Sequence, residues 1–444
     1  MDIINEKLND LSINSINIYD TSFNDLKNYY DNVLNKARDS KSFTSSNDES
    51  TPIDCIIEML SKIPDNFWKN TNLKILDPCC GNGNFHAVIH NILSKYHSND
   101  DIINNMLYFN DINKDRLQNV YSTFKLDKNS LNITETDFLT ENNFDKSFDM
   151  IVANPPYAKM QKDGTRASKN HNLIKPFLEK TLKLLKPSGY LVFITPDNWM
   201  SLADRNEIIS KITELQFIYL NIHSAKKWFP KIGSSFTWYI IQNEQFTQPF
   251  YIEGIYNRKI FKSKVQSCIR DFIPLLYTDI VQNILRKTIE STEYQKFNVE
   301  TSSDLHRYTK KDLIKDIQDD TYKYKLIHTP KQICYANRPH KFQDGYKVFI
   351  STTDKYKVFI DSCGMTQSIA FIRCSNENEA KIFAKLLEHP LYQFINNICR
   401  WGNFNNIRIL QRFPIPYTNI HDTNELFDIF KITKYEQDYI LEYL

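Results

Sequence analysis

Phe148-Asp149-Met150-Ile151-Val152-Ala153 is a short apolar run that reads as a buried strand, and it runs straight into Asn154-Pro155-Pro156-Tyr157. Neither proline can supply an N–H to a sheet ladder, so the strand must end there in a stiff, extended exit. That corner holds the Asn154 amide and the Pro155 carbonyl at a set angle and presents the Tyr157 ring beyond them. In an open α/β sheet, residues just past the carboxyl end of a strand stand where ligands bind. Two acceptors and a flat ring suit a planar heterocycle that carries an amino group. A proline-rich loop closing a strand would read the same way, so the rest of the chain has to decide.

Strands and helices alternate on both sides of the corner. Thr51-Pro52 opens an apolar-periodic segment (Ile53, Ile56, Ile57, Leu60), with Thr51 expected as N-cap and Pro52 as the first helical residue. Leu73 to Leu76 reads as a strand that ends at Asp77-Pro78-Cys79-Cys80-Gly81-Asn82-Gly83-Asn84-Phe85, and a helix to about Tyr96 follows. Met106 to Asp111 is a second strand, and a helix follows over 116–124. Ile133 leads to Asp137-Phe138-Leu139, read as a third strand, and the run before Asn154 is the fourth. A helix over Leu173 to Leu185, ended by Lys186-Pro187-Ser188-Gly189, precedes a fifth strand at Tyr190 to Ile194. Two more strands, 217–222 and 236–241, flank Trp228-Phe229-Pro230-Lys231-Ile232-Gly233. Such alternation predicts a doubly wound, Rossmann-like α/β sheet over residues 45–245.

Residues 1–44 are polar, with a short helix expected over 25–36, and a Ser-rich linker runs over 39–50. From 246 to 444 the runs shorten and grow aromatic. Tyr346-Lys347-Val348-Phe349-Ile350 returns as Tyr356-Lys357-Val358-Phe359-Ile360, which predicts a β-hairpin. Helices are expected over 279–290 and 376–397, in a separate mixed α+β domain.

A strand, a Gly-rich turn and a helix make a nucleotide-binding arrangement. Gly81 and Gly83 let the backbone pass close to a ligand. His86 stands where the dinucleotide fingerprint has its third glycine, and no Lys-Ser/Thr pair follows as in a phosphate loop. Asp111, 28 residues after Gly83, is placed to accept from two ribose hydroxyls. Asp137 is placed to accept from an adenine amino group, with Phe138 stacking. Any one strand-end Asp is also a helix N-cap candidate. Three beside one glycine turn point to a ligand that contains a nucleoside.

Taken in order, Thr51-Pro52, the D-P-C-C-G-N-G-N-F run, Asn110-Asp111, Asp137-Phe138-Leu139 and N-P-P-Y resemble the N6-adenine DNA methyltransferases, gamma class (Eco57I/TaqI-type methylases). The resemblance implies a class I fold with S-adenosylmethionine as cofactor. It implies a cofactor site lined by Thr51, Pro52, Asp77, Pro78, Cys79, Gly81, Asn82, Gly83, Asn84, Phe85, Asp111, Ile112, Asp137, Phe138 and Asn154. Cys79 departs from the family, which commonly has Ala-Cys where this chain has Cys79-Cys80. Asn154, Pro155, Pro156 and Tyr157 would be catalytic, with Tyr157 and Phe229 stacking on a flipped-out adenine in double-stranded DNA. Residues 246–444 would read the DNA sequence. Contact candidates are Lys226, Lys227, Arg338, Lys341, Arg400, Trp401, Asn403 and Arg408, with Asn405 and Asn406 in the same run. For each, a surface or structural role weighs against base contact. Transfer to RNA or to a protein glutamine, and a non-catalytic DNA-binding homologue, remain as alternatives.

Composition bounds the partners. Eight cysteines without a C-x-x-C pair argue against structural zinc and against a disulfide framework, so no metal is expected. The polar N-terminus and the lack of a long apolar run predict no secretory signal and no membrane span, hence a cytoplasmic chain. Residues 246–444 hold 28 Lys and Arg against 23 Asp and Glu, a mild basic bias that permits a nucleic-acid face. The expected state is a monomer. A cognate restriction endonuclease is an admissible partner, although no nuclease motif is legible in the chain itself.

Overall fold

The computed structural model describes residues 16–34, 50–127, 129–141, 144, 148–157, 173–203, 207–229, 235–266, 271–353, 355–416 and 425–444. The Ser-rich run at 39–49 and Pro230 to Gly233 lie outside the described residues. Internal contacts divide the chain into two units. The first holds Met1–Asp197, Glu207–Ile255 and Lys264–Cys268, and the second holds Asn198–Asn206, Tyr256–Ser263 and Ile269–Leu444.

In the first unit, α1 (Phe23–Asn28) is capped by the Ser22 hydroxyl and continues as a π-helical segment, Tyr29–Leu34. α2 (Ile53–Leu60) follows. Its N-cap is Pro52, with extended φ/ψ, and not Thr51 as the Thr-Pro pattern suggested. Instead the leading Ile53 N–H donates to Asp31 Oδ1 at 3.3 Å, so a carboxylate distant in sequence caps the helix. β1 (Ile75–Asp77), α3 (Asn84–Leu93), β2 (Leu107–Asp111), α4 (Lys114–Phe124) and β4 (Phe148–Ala153) fall where the alternation put them, to within a few residues. The third strand does not. β3 is Ile133–Glu135, and Asp137 to Leu139 form a turn in which Asp137 Oδ1 accepts from Leu139 N at 3.0 Å. α5 (Ile174–Leu184) runs straight into β5 (Leu185–Pro196), which absorbs the Lys186 to Gly189 segment expected as a loop.

Among the described residues, these strands lie side by side in the order β3-β2-β1-β4-β5-β7-β6-β8, part of a nine-stranded sheet, with β6 at Leu215–Ile222, β7 at Phe236–Gln245 and β8 at Phe250–Tyr256. β1 pairs in parallel with both β2 and β4, and β4 with β5. β7 reverses, antiparallel to β5 and β6. Chain order therefore changes direction between β1 and β4, which makes that gap the switch point where ligands bind in such sheets. β1, Met150–Ala153, Leu191–Ile194 and Phe236–Ile241 are wholly buried. Continuous burial rather than alternation is the mark of a sheet covered on both faces, and it explains why these runs read as unbroken apolar stretches. Trp238 anchors one face, stacked on Tyr219 with ring centroids 5.0 Å apart and planes 11° apart.

The second unit carries two four-stranded sheets. One runs Glu300–Thr301, Ile369–Arg373, Lys347–Ser351, Val358–Asp361, and the other Ile314–Lys315, Gln332–Ala336, Tyr324–Thr329, Gly364–Met365. The repeated Lys-Val-Phe-Ile runs pair antiparallel, Phe349 opposite Phe359, as a hairpin. Lys347 is buried, and its Nζ donates to the carbonyls of Asp344, Gly345 and Ser362 at 2.7–3.0 Å. The helix expected over 279–290 is α6 (Asp279–Lys287). That over 376–397 is two helices, α7 (Glu377–Leu387) and α8 (Pro390–Ile398), broken where His389 caps a helix that starts on Pro390. Among the described residues no helix is long and apolar enough to cross a membrane.

Candidate active site

The carboxyl ends of β1, β2, β4, β5 and β6 share one edge of the sheet, because these strands run in one direction and β7, between β5 and β6, opposes them. That edge gathers the turn after Asp77, Asp111, Asn154, Asp197 and His223, and β7 begins there at Phe236.

The glycine turn is knitted to its neighbours by backbone bonds. Asp77 is buried, and its Oδ1 accepts from Cys79 N at 3.1 Å. Burial holds its carboxyl well above the usual range, against the Cys79 N–H, and the nearby Asp111 carboxylate adds to the rise. Cys80 N donates to Asn110 O at 2.8 Å, and Gly81 N donates to Asp111 Oδ2 at 2.8 Å. The Tyr30 hydroxyl donates to Asn82 O at 3.0 Å, and Asn119 Nδ2 donates to Asn82 Oδ1 at 3.0 Å. The two glycines differ in what requires them. Gly83 has φ +87°, and a Cβ there would meet Phe124 Cε2 at 2.8 Å. Gly81 has φ +56°, and a Cβ would meet nothing within 4 Å, so the turn is open on that side. His86, in place of the third glycine, is buried with its ring 4.2 Å from that of Phe109, and burial pushes its pKa down to about 3. It is part of the core.

Thr51 is 3% exposed and its Oγ1 has no hydrogen-bond partner, while its carbonyl accepts from Asn84 Nδ2 at 3.0 Å. Pro52 and Phe85 sit beside the same turn by position in α2 and α3. Asp111 is buried and also accepts from Asn113 N at 2.8 Å, and the next side chain, Ile112, is 71% exposed. Asp137 lies in the turn past β3 and not on a strand end. The Phe138 ring, expected as a stacking face, is 3% exposed, packed against Phe144 and Phe177 at 5.3 and 5.4 Å with Lys180 Nζ over it at 4.9 Å. These neighbours cover the ring in the free chain.

Asn154 is half-buried, Pro155 buried and Pro156 exposed. The Cys79 thiol donates to the Asn154 carbonyl at 3.6 Å, joining the glycine turn to the proline corner across the switch point. The Tyr157 hydroxyl donates to Asn154 Oδ1. The Tyr157 ring is half-buried, 5.8 Å from Phe236. Phe229, expected opposite Tyr157, is buried and stacks on Phe236 at 4.6 Å, 25° between planes. Phe236 is thus the ring in contact with Tyr157, and Phe229 backs it. The sequence reading missed Phe236 because it opens an apolar run that reads as core.

It also missed Asp197 and His223. Asp197 is 7% exposed, one residue past β5, and its Oδ2 lies 3.4 Å from His223 Nε2. Burial raises its pKa to about 7, against its own backbone N–H and Lys226, and burial lowers that of His223 to about 4. The signal was present, since Ile194-Thr195-Pro196-Asp197 is another strand ending on an acid.

Several cations nominated for DNA are committed elsewhere. Lys227 pairs with Glu58 at 2.7 Å and lies over the Trp228 ring, and Lys226 stands near Asp197. In the second unit, Arg338 pairs with Asp304 at 2.9 Å. Arg400 donates to Asn403 O and Arg408 to Gln411, and Trp401 Nε1 donates to Ile273 O. Asn405 is buried against Ser351 O and Asn396, and Asn406 caps a short helix, Ile407–Leu410. Asn403 and the Lys341 side chain are exposed.

Comparison with known proteins adds the family. A family model described as Eco57I restriction-modification methylase matches residues 7–229. The chain is similar in structure to the protein of the DrdV–DNA complex, at 8% identity, over 96% of this chain and 60% of that one, with a TM-score of 0.54. It is similar to the type IIL restriction-modification enzyme MmeI in complex with DNA, at 10% identity, over 87% and 69%, with a TM-score of 0.50. A type I restriction-modification methyltransferase subunit from Streptococcus thermophilus matches at 11% identity over 55% of each chain, TM-score 0.38. The matched part spans 49% to 75% of the length of the solved chains it resembles.

Proposed function

The chain belongs to the Eco57I restriction-modification methylase family, whose model matches half of it, and from that premise we propose that it is a site-specific DNA adenine-N6 methyltransferase. The fold is that of the class I S-adenosylmethionine-dependent methyltransferases, and S-adenosylmethionine is the cofactor. Three features of the chain fit that molecule. The Thr51 hydroxyl is buried with no partner, the turn at Gly81 is open, and Ile112 is exposed beside the Asp111 carboxylate. Thr51 and the backbone of residues 79–84 would hold its amino-acid end. Asp111 would accept from its ribose hydroxyls and Ile112 would cover its adenine. When bound, it supplies a methyl group on a sulfonium.

The observation that carries the reading is the Cys79-to-Asn154 contact, which draws the glycine turn and the proline corner together at the switch point. The amino lone pair of adenine is delocalised into the ring and is a poor nucleophile. Asn154 Oδ1 and the Pro155 carbonyl, accepting from both amino hydrogens, favour a pyramidal nitrogen with its lone pair exposed. That stabilisation grows toward the transition state. Holding the nitrogen in line supplies much of the remainder. Rotating the base out of the duplex costs roughly a few kcal/mol. Stacking on Tyr157, backed by Phe236 and Phe229, offsets about 1–3 kcal/mol of it. The second unit would read the sequence, and the likeness to the DNA-bound DrdV chain, which extends over 96% of this chain, supports that assignment.

The test is transfer by purified protein from labelled cofactor to mixed-sequence duplex DNA, with RNA and a glutamine-bearing protein as rival acceptors. Label should enter adenine N6 in duplex DNA alone. Asn154→Ala should lower the rate at least about a hundredfold, in line with loss of a preorganised transition-state contact. Cofactor binding without transfer to any duplex would contradict the proposal.

A further inference from the structure

Tyr30 and Asp31 are consecutive residues of the π-helical segment Tyr29–Leu34, and they bond in two directions. The buried Tyr30 hydroxyl donates to Asn82 O at 3.0 Å, on the glycine turn. Asp31 Oδ1 accepts from Ile53 N at 3.3 Å, at the start of α2. A third bond joins those two targets, since Asn84 Nδ2 donates to Thr51 O at 3.0 Å. The path from Tyr30 to Asn82, along the chain to Asn84, across to Thr51, along to Ile53 and back to Asp31 is therefore a closed ring. Thr51, whose buried hydroxyl has no hydrogen-bond partner, is a member of it. The segment that closes the ring is itself tied down. Ile18 N donates to Thr123 O at 2.8 Å on α4, and Lys27 pairs with Asp54 at 2.6 Å on α2.

The turn needs such a hold. Gly81 and Gly83 both have positive φ, and glycine crosses between left- and right-handed backbone at little cost. A peptide flanked by two such residues reorients readily unless something fixes it. Here the plane between Asn82 and Gly83 is bonded at both edges. Its carbonyl accepts from Tyr30, and its N–H donates to Cys80 O at 2.8 Å.

We propose that Tyr30 and Asp31 are positioning residues for the amino-acid end of the cofactor. They close the ring that sets the glycine turn against Thr51 in the free chain. The proposal rests on the placement of that end at Thr51 and residues 79–84 given above. A turn ordered beforehand spares the ligand the cost of ordering it. Opening the ring at either bond should therefore weaken ligands that reach the turn. It should spare those that stop at the ribose, whereas loss of a general structural prop would weaken both alike.

The probes are S-adenosylhomocysteine and methylthioadenosine, which share adenine, ribose and thioether but differ in the amino-acid end. Their affinities for native chain, Tyr30→Phe, Asp31→Ala and the double variant are measured by calorimetry. The native chain should bind S-adenosylhomocysteine the more tightly. Its Kd should rise about three- to tenfold in each single variant, while that of methylthioadenosine stays within about twofold. A ring opened twice is little looser than a ring opened once, so the double variant should lie within about twofold of the weaker single. Equal losses for the two ligands, no loss for either, or losses that multiply in the double variant would overturn the proposal alone. A native chain that binds both ligands equally would overturn the placement of the amino-acid end, and this proposal with it.

Discussion

Asp197 and His223 give the site edge a pH window of its own. The Asp197 carboxyl has a folded pKa near 7, above the ordinary carboxylate value, so its contribution to stability is full below about pH 4 and is lost as pH rises through 7. The His223 imidazole has a folded pKa near 4, below its ordinary value, so its contribution is full above about pH 6.5 and is lost as pH falls through 4. Between those limits both groups are neutral. Asp197→Asn imitates the protonated carboxyl. It should stabilise the chain by about 1–3 kcal/mol at pH 8 and change little at pH 5, read from denaturant midpoints at the two pH values. The glycines make a second residue-scale contrast. Gly83→Ala meets Phe124 at a left-handed φ and should destabilise by about 2–4 kcal/mol. Gly81→Ala meets no atom and should cost about 1–2 kcal/mol, with loss of cofactor affinity as its main effect in calorimetry.

Among elements, the legible strands were those whose apolar run ends on an acid or a proline, as β1, β2 and β4 do. β3 was misplaced because only Ile133 of its three residues is buried, whereas Phe138 and Leu139 offered a stronger apolar signal inside a turn. The start of α2 misled for another reason. Thr-Pro is a good local cap signal, but the cap comes from Asp31, and no local pattern reports a partner 22 residues away. Asp31→Ala should cost about 1 kcal/mol of stability by removing that carboxylate, measurable as a shift in the thermal midpoint. The break between α7 and α8 was readable. Pro390 fits a helix only in its first turn, and the apolar periodicity on both sides hid it. Phe229 and Phe236 were separable only in three dimensions, since both are aromatic and they stand seven residues apart.

For the molecule as a whole, the order of motifs along the chain carried more than any one motif. The glycine turn and N-P-P-Y lie about 70 residues apart in sequence, and a doubly wound sheet brings them to neighbouring strands. The second unit was far less legible. Its basic bias is slight, and most residues nominated there for DNA turn out to hold the unit itself together, as Arg338 does through Asp304. Lys341 remains exposed, and on the proposed reading Lys341→Ala should weaken DNA binding across sequences and lower the salt slope by about one. The central claim is that Asn154 holds the adenine amine for methyl transfer in DNA at a defined site. Single-molecule sequencing of DNA from cells expressing the native chain tests it most directly, with Asn154→Ala cells alongside. N6-methyladenine at one recurring sequence, absent with the variant, is the predicted result. DNA free of new methyladenine in both, or the same pattern in both, would contradict it.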